Sequence, residues 1–189
     1  MSEWIEGSEA ANYLKKIAVS GMLATDLKFR NANCSGQSFK GLSLAECALE
    51  NITFQGSDLE DVRLSKCSLE KINFDNANLK NASFFDVSLN NSSAVHVKGY
   101  RWSILQSKVS NLDACYASLP EAKFVQTPMV DVNLSQSNLD NASFTLSAQT
   151  RTNFSEAYLK QTTLFELDLQ SCQFTKVNAP YVVMSGSNL

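Results

Sequence analysis

The segment that decides the fold is ANLKNASFFDVSLNN, residues 77–91. It divides into three five-residue units, each with a large apolar side chain at its third position: Leu79, Phe84 and Leu89. The first position of each unit is small or β-branched, and the other positions are mostly polar. A period of five fits neither an α-helix nor the two-residue alternation of a strand, so we expect the chain to turn a corner in every unit.

The same period runs along most of the chain without an inserted or deleted residue. In steps of five from Phe29 to Leu189 there are 33 such central positions, and 23 of them hold Leu or Phe. Each unit is therefore expected to send one large and one small side chain inward. Residues suited to turns follow the central position in several units: Gly36, Gly41, Gly56, Asn76, Asn81 and Asn141.

These units resemble a known family motif. ANLKN (77–81) and SNLDN (137–141) match the A-(D/N)-L-x-x pattern of the pentapeptide repeat family, and the resemblance covers about 27–189. It implies an all-β fold, a right-handed quadrilateral β-helix with four units per coil and about eight coils. Stability in such a solenoid comes mainly from contacts between neighbouring coils.

The two ends of the chain differ. Residues 1–26 are expected to form a short N-terminal α-helical cap, and 27–189 the pentapeptide repeat β-helix. A cap is needed because an exposed coil end presents unpaired backbone groups. The last residues, MSGSNL, are still in the repeat register. We therefore expect an uncapped C-terminal coil, against which another subunit or further chain would stack.

The predicted cap helix lies in SEAANYLKKIAVS, residues 8–20. Ser8 is the expected N-cap, Gly21 the stop, and Trp4 and Ile5 are expected to join the cap. The apolar residues with helical spacing are Ala10, Tyr13, Leu14 and Ile17.

Composition excludes several classes of protein. The net charge is -3, whereas a direct nucleic-acid ligand calls for a basic face. No apolar run approaches the roughly 18 residues of a membrane span, and we see no signal peptide. The five cysteines are odd in number and include no C-x-x-C pair, which favours free thiols in a reducing, bacterial cytoplasm over disulfides or zinc. No cofactor or metal motif is found.

The segment HVKGYRW, residues 96–102, departs from the pattern. Gly99 stands at a central position, while Trp102 fills a position that is usually small. We interpret this as a repaired core, in which Trp102 fills the space left by small neighbours. The alternative is a secondary surface that holds an anion or an acidic partner, formed by outward side chains: His96, Lys98, Tyr100 and Arg101. A catalytic role is not favoured, because the single His has no nucleophile in the local pattern.

One outward column is apolar. Phe85 and Phe165 are the two Phe that miss the central position, and they are 80 residues apart, or four coils of twenty. A contiguous exposed apolar stripe indicates an interaction surface. We predict that a second copy of the chain or another protein binds this stripe, which consists of Phe85, Leu105, Val125, Leu146 and Phe165.

Three functions are compatible with these observations. The preferred one is a non-enzymatic protein-interaction or scaffold module, dimeric through the stripe or the uncapped coil. The resemblance also implies an alternative, because some family members mimic DNA, bind DNA gyrase and confer resistance to its poisons. That mimicry needs an acidic face, and the charges here are mixed on every face. A secreted bacterial effector is the further alternative.

Overall fold

The computed structural model describes residues 3–188. Within that range it has one α-helix, α1 (Gly7–Ser20), and sixteen strands. The strands are β1 (Trp4–Glu6), β2 (Leu23–Thr25), β3 (Lys28–Arg30), β4 (Ser43–Ala45), β5 (Ala48–Thr53), β6 (Arg63–Ser65), β7 (Ser68–Asn73), β8 (Ser83–Phe85), β9 (Ser88–Ser93), β10 (Ser103–Leu105), β11 (Lys108–Asp113), β12 (Lys123–Val125), β13 (Met129–Val130), β14 (Ser143–Thr150), β15 (Thr163–Asp168) and β16 (Val183–Ser185).

The strands stack in parallel ladders. The odd-numbered strands from β1 to β13 form one face, the even-numbered strands from β2 to β12 form another, and β14 belongs to both. Isolated parallel bridges such as Asn33↔Thr53 and Lys98↔Ser118 mark the two remaining faces. Bridge partners are 20 residues apart, which is four units of five. The predicted quadrilateral β-helix is therefore confirmed.

The solenoid has one more level than the sequence predicted. The even-numbered face runs from Leu23–Thr25 to Val183–Ser185 through nine levels. Ala24 already pairs with Leu44, so the ladder begins one unit before Phe29. The division at residue 27 stays a prediction, although β2 precedes it. Leu189 lies outside the described residues.

Corners are set by a left-handed backbone at the second residue after each centre. All six predicted turn residues have positive φ, as at Gly36 (φ 64°) and Asn76 (φ 59°). Asn and Gly adopt this conformation at little cost. Bulkier residues also take it, including Tyr116 and Leu146. Because the corner conformation is imposed by the ladders on both sides, these side chains are turned outward.

The interior is a continuous column of apolar side chains, and the altered coil is repaired as predicted. Trp102 is almost fully buried, with its ring edge-on to Phe84 at 5.4 Å. A methyl group added to Gly99 would lie 2.6 Å from Leu119 Cδ2 and 3.3 Å from Trp102. The indole therefore fills the space that a side chain at position 99 would need.

The N-terminal end is covered by α1, as expected. Leu14 is fully buried against the first coil, and Gly21 ends the helix with φ 64°. Two details were wrong. The N-cap is Glu6, not Ser8, and it makes no side-chain capping hydrogen bond. Trp4 and Ile5 belong to β1, which pairs with β3 as an added strand.

Candidate functional site

The predicted stripe lies on adjacent, in-register strands. Phe85 pairs with Leu105, Leu105 with Val125, and Val125 with Thr145, which in turn pairs with Phe165. Neighbouring strands are separated by roughly 4.8 Å, so Phe85 and Phe165 are about 19 Å apart. The column continues with Ser65 before Phe85 and Ser185 after Phe165, so the apolar part is bounded at both ends.

The stripe is open to solvent. Phe85 is 40% exposed, Leu146 45% and Phe165 37%, while Leu105 and Val125 are half-buried between their neighbours. Leu146 is not in the column itself. It follows Thr145 at the corner, where a φ of 59° turns its side chain outward beside the column. The structure thus brings together all five predicted stripe residues.

Beside the stripe runs a column of small hydroxyl side chains. Each belongs to the same strand as a stripe residue, two positions earlier: Ser83, Ser103, Ser143 and Thr163. Lys123 interrupts this column in the middle coil. Because these side chains are short, the face is flat and one half of it is apolar. Such a face suits contact with another flat surface.

The four residues of the predicted secondary surface do not form one site. His96 lies at a different corner, with its ring stacked on Tyr116 at a centroid distance of 5.0 Å. Arg101 Nε donates to Glu121 Oε2 at 2.8 Å, and the Tyr100 hydroxyl donates to Glu121 Oε1 at 3.0 Å. Arg101 also lies over the Tyr100 ring, while Lys98 is exposed on the adjoining face. The carboxylate of Glu121 already neutralises the cation that an anionic ligand would need.

The sequence analysis missed Glu121 and a groove at the corner near His96. The groove is lined by Tyr116 and Tyr158, each about half exposed, with Gln136 and Glu156 between them. Gln136 Nε2 donates to Glu156 Oε2 at 2.9 Å. The signal that would have found these groupings is a spacing of 20, as between Arg101 and Glu121, which acquires meaning only when the coil length is known.

The described residues offer little other chemistry. They contain no cluster of three or more His, Cys, Asp or Glu side chains that could hold a metal ion. Burial raises the pKa of Cys34 to about 12 and that of Cys115 to about 11, so both are thiols at neutral pH. In the described part of the chain, no helix is long and apolar enough to cross a membrane.

The repeats are recognised by comparison with known families. The family model for pentapeptide repeats matches residues 54–93 and 129–164, in eight copies. The chain is a pentapeptide repeat protein. The matched segments leave out 94–128, the part that contains the altered coil. Among curated protein sequences, none matches the chain.

Solved structures share the fold at low identity. Trypsin-treated QnrB1, a plasmid-mediated fluoroquinolone resistance protein, is 14% identical over 97% of this chain and 91% of QnrB1, with a TM-score of 0.59. HetL, a pentapeptide repeat protein involved in heterocyst differentiation regulation from the cyanobacterium Nostoc sp. strain PCC 7120, is 15% identical over 99% of this chain and 86% of HetL, with a TM-score of 0.40. The likeness to QnrB1 extends to the fold alone.

Proposed function

We propose that this pentapeptide repeat protein is a non-enzymatic interaction module that binds another protein chain through the stripe. The proposal is carried by one observation. Five apolar side chains on successive coils form a bounded patch on a flat face, and Phe85, Leu146 and Phe165 each keep more than a third of their surface exposed. A patch of this kind on a soluble protein marks an interaction surface.

The size of the stripe is compatible with binding. A patch of about 300 Å² at roughly 25 cal/mol per Å² gives about 7 kcal/mol before the costs of association. Those costs are themselves at least several kcal/mol. The stripe therefore supports binding of modest affinity, which flanking hydrogen bonds from the serine column would strengthen.

The non-enzymatic part of the proposal rests on the setting of His96. Its ring is stacked on Tyr116 rather than hydrogen-bonded to a nucleophile. The five free cysteines fit a bacterial cytoplasmic location.

Gyrase binding is the second candidate, and the fold shared with QnrB1, whose title describes fluoroquinolone resistance, is the observation that favours it. The charges oppose it. Glu60 lies between Lys40 and Lys80, each 3.0 Å away, and Asp131 is paired with Arg151. A surface whose carboxylates are neutralised by neighbouring coils is a poor copy of the DNA backbone. In a supercoiling assay with purified gyrase we therefore expect no inhibition.

The stripe proposal is tested by affinity capture from a bacterial lysate with three baits. These are the wild type, Phe85→Glu/Phe165→Glu, and Tyr116→Glu/Tyr158→Glu. The third is a matched control, since it also places two carboxylates at half-exposed aromatic positions, but on another corner. We expect a protein that both the wild type and the control capture and that the stripe variant loses. Equal capture by all three folded baits would contradict the proposal.

A further inference from the structure

We infer that the chain that occupies the stripe is a second copy of this protein, packed antiparallel and side by side about a two-fold axis through Val125. The inference rests on the proposed function and names its partner. It starts from the order of side chains along the stripe. Phe85 lies two coils before Val125 and Phe165 two coils after it, while Leu105 and Leu146 flank it at one coil on either side.

Symmetry selects the antiparallel arrangement. Copies of one protein associate most often through a two-fold axis, which makes the same surface meet itself. An axis parallel to the solenoid would place the apolar column of one copy on the serine column of the other. An axis parallel to the strands keeps each column opposite itself and reverses the order of coils. Only the second choice buries the stripe on the stripe, with Phe85 opposite Phe165 of the second copy.

The neighbouring columns fit this contact, with two costs. Ser103 faces Ser143 of the second copy, so short hydroxyl side chains meet and the faces can approach. Lys123 meets its own equivalent near the axis, where Glu121 of the second copy lies within the same coil. At the rim, Asp86 lies opposite Glu166 of the second copy, and these like charges repel.

The area of the face sets the strength of the dimer. A strand of three residues spans about 10 Å and nine levels span roughly 40 Å, so the face covers about 400 Å² per copy. A stable complex buries about 800 Å² per partner. We therefore expect a weak dimer, with a dissociation constant in the micromolar range or above, whose population depends on protein concentration.

Two measurements test the inference. Sedimentation velocity over a micromolar to sub-millimolar range should show a monomer–dimer equilibrium that Phe85→Glu abolishes. Asp86→Lys converts the repulsive rim pair into an attractive one at two symmetric places, and it should tighten the dimer by roughly three- to tenfold. Unchanged association in Asp86→Lys, or a wild type that is monomeric throughout, overturns the inference.

The axis is located by cysteine cross-linking in a Cys115→Ser/Cys172→Ser background. Val125→Cys lies on the axis and should form a disulfide-linked dimer with diamide, which takes up the two protons and two electrons of the thiols. Val130→Cys is the control, because it is another half-buried valine after a centre but on a neighbouring face. Linkage through Val130→Cys instead overturns the inference. A monomeric protein whose stripe still captures a different protein keeps the proposed function and rejects the dimer.

Discussion

At the scale of single residues, the altered coil shows how strictly the interior volume is shared. Gly99 has no side chain, and Trp102 and Leu119 occupy the space where one would be. Neither the glycine nor the tryptophan follows the repeat pattern. Each is explained by the other, because protein interiors are close-packed and tolerate exchanges that conserve volume.

The first prediction concerns Gly99→Ala. The added methyl group would lie 2.6 Å from Leu119 Cδ2, so we expect a loss of about 1–3 kcal/mol in the free energy of unfolding. Urea unfolding followed by circular dichroism measures it. The control is a double-mutant cycle with Leu119→Ala, in which the double variant should lose less than the sum of the two single changes. Strict additivity would contradict the proposed clash.

The second prediction concerns thiol reactivity. Cys115 is half-buried, whereas Cys47 and Cys67 are fully buried, so Cys115 should react with maleimide before either of them. Burial and the nearby Asp113 carboxylate raise the pKa of Cys115 to about 11. Because the thiolate is the reactive form, the rate should rise about tenfold per pH unit from about pH 7 to 9. Peptide mapping would detect the contrary result, comparable labelling of Cys47 and Cys67.

At the scale of elements, the corner columns pair charges from one coil to the next. Arg151 Nε and Nη2 donate to the two carboxylate oxygens of Asp131 at 2.5 and 2.6 Å. The two residues are 20 apart and therefore lie on adjacent coils. The guanidinium holds the pKa of the Asp131 carboxyl below its usual range. This contribution to stability is present above the ordinary aspartate pKa of about 3.9 and is lost as the pH falls through the lowered value.

The third prediction follows from that pair. Removing the cation with Arg151→Gln should raise the pKa of Asp131 toward its ordinary value, as measured by an NMR titration of the carboxyl group. The matched control is Arg101→Gln, whose guanidinium pairs with Glu121 instead. It should leave Asp131 unchanged. A titration curve of Asp131 that is the same in wild type and Arg151→Gln would show that the pair does not persist in solution.

The fourth prediction concerns α1 as a cap. Leu14 is fully buried, so Leu14→Ala should cost about 2–5 kcal/mol locally. Because each coil of a solenoid contacts only its neighbours, faster hydrogen exchange should be confined to α1 and β3. The exposed Lys15→Ala serves as control. A uniform increase in exchange along the whole solenoid would contradict this local role.

Most elements could be predicted from the sequence because the period of five encodes both the inward side chains and the corners. The start of α1 could not. β1 has only three residues and no repeat, yet its pairing with β3 holds Glu6 extended, so the helix begins at Gly7 rather than after Ser8. The stripe could be predicted because its two phenylalanines are 80 residues apart. The Tyr100–Glu121–Arg101 cluster could not, since it depends on contacts between coils.

At the scale of the whole molecule, two aromatic columns divide the interior. Phe39, Phe54, Phe74 and Phe84 form the first, which ends at Trp102, and Phe124, Phe144, Phe154 and Phe174 form the second. The altered coil lies between them and is built around a single indole. The N-terminal half is covered by α1, whereas the last coils are half-exposed, as at Val183 and Met184. Stability is therefore expected to fall toward the C-terminal half.

The fifth prediction tests that gradient with Phe144→Ala. The ring is fully buried, lies 4.6 Å from Phe124 and meets Phe154 edge-on at 5.6 Å, so its loss should cost about 3–5 kcal/mol. Hydrogen exchange resolved by peptide should show lost protection from β14 onward and little change before β9. Thr145→Ala is the control on the same strand. If protection falls equally in both halves, the solenoid unfolds as one cooperative unit and the altered coil is no weaker than the rest.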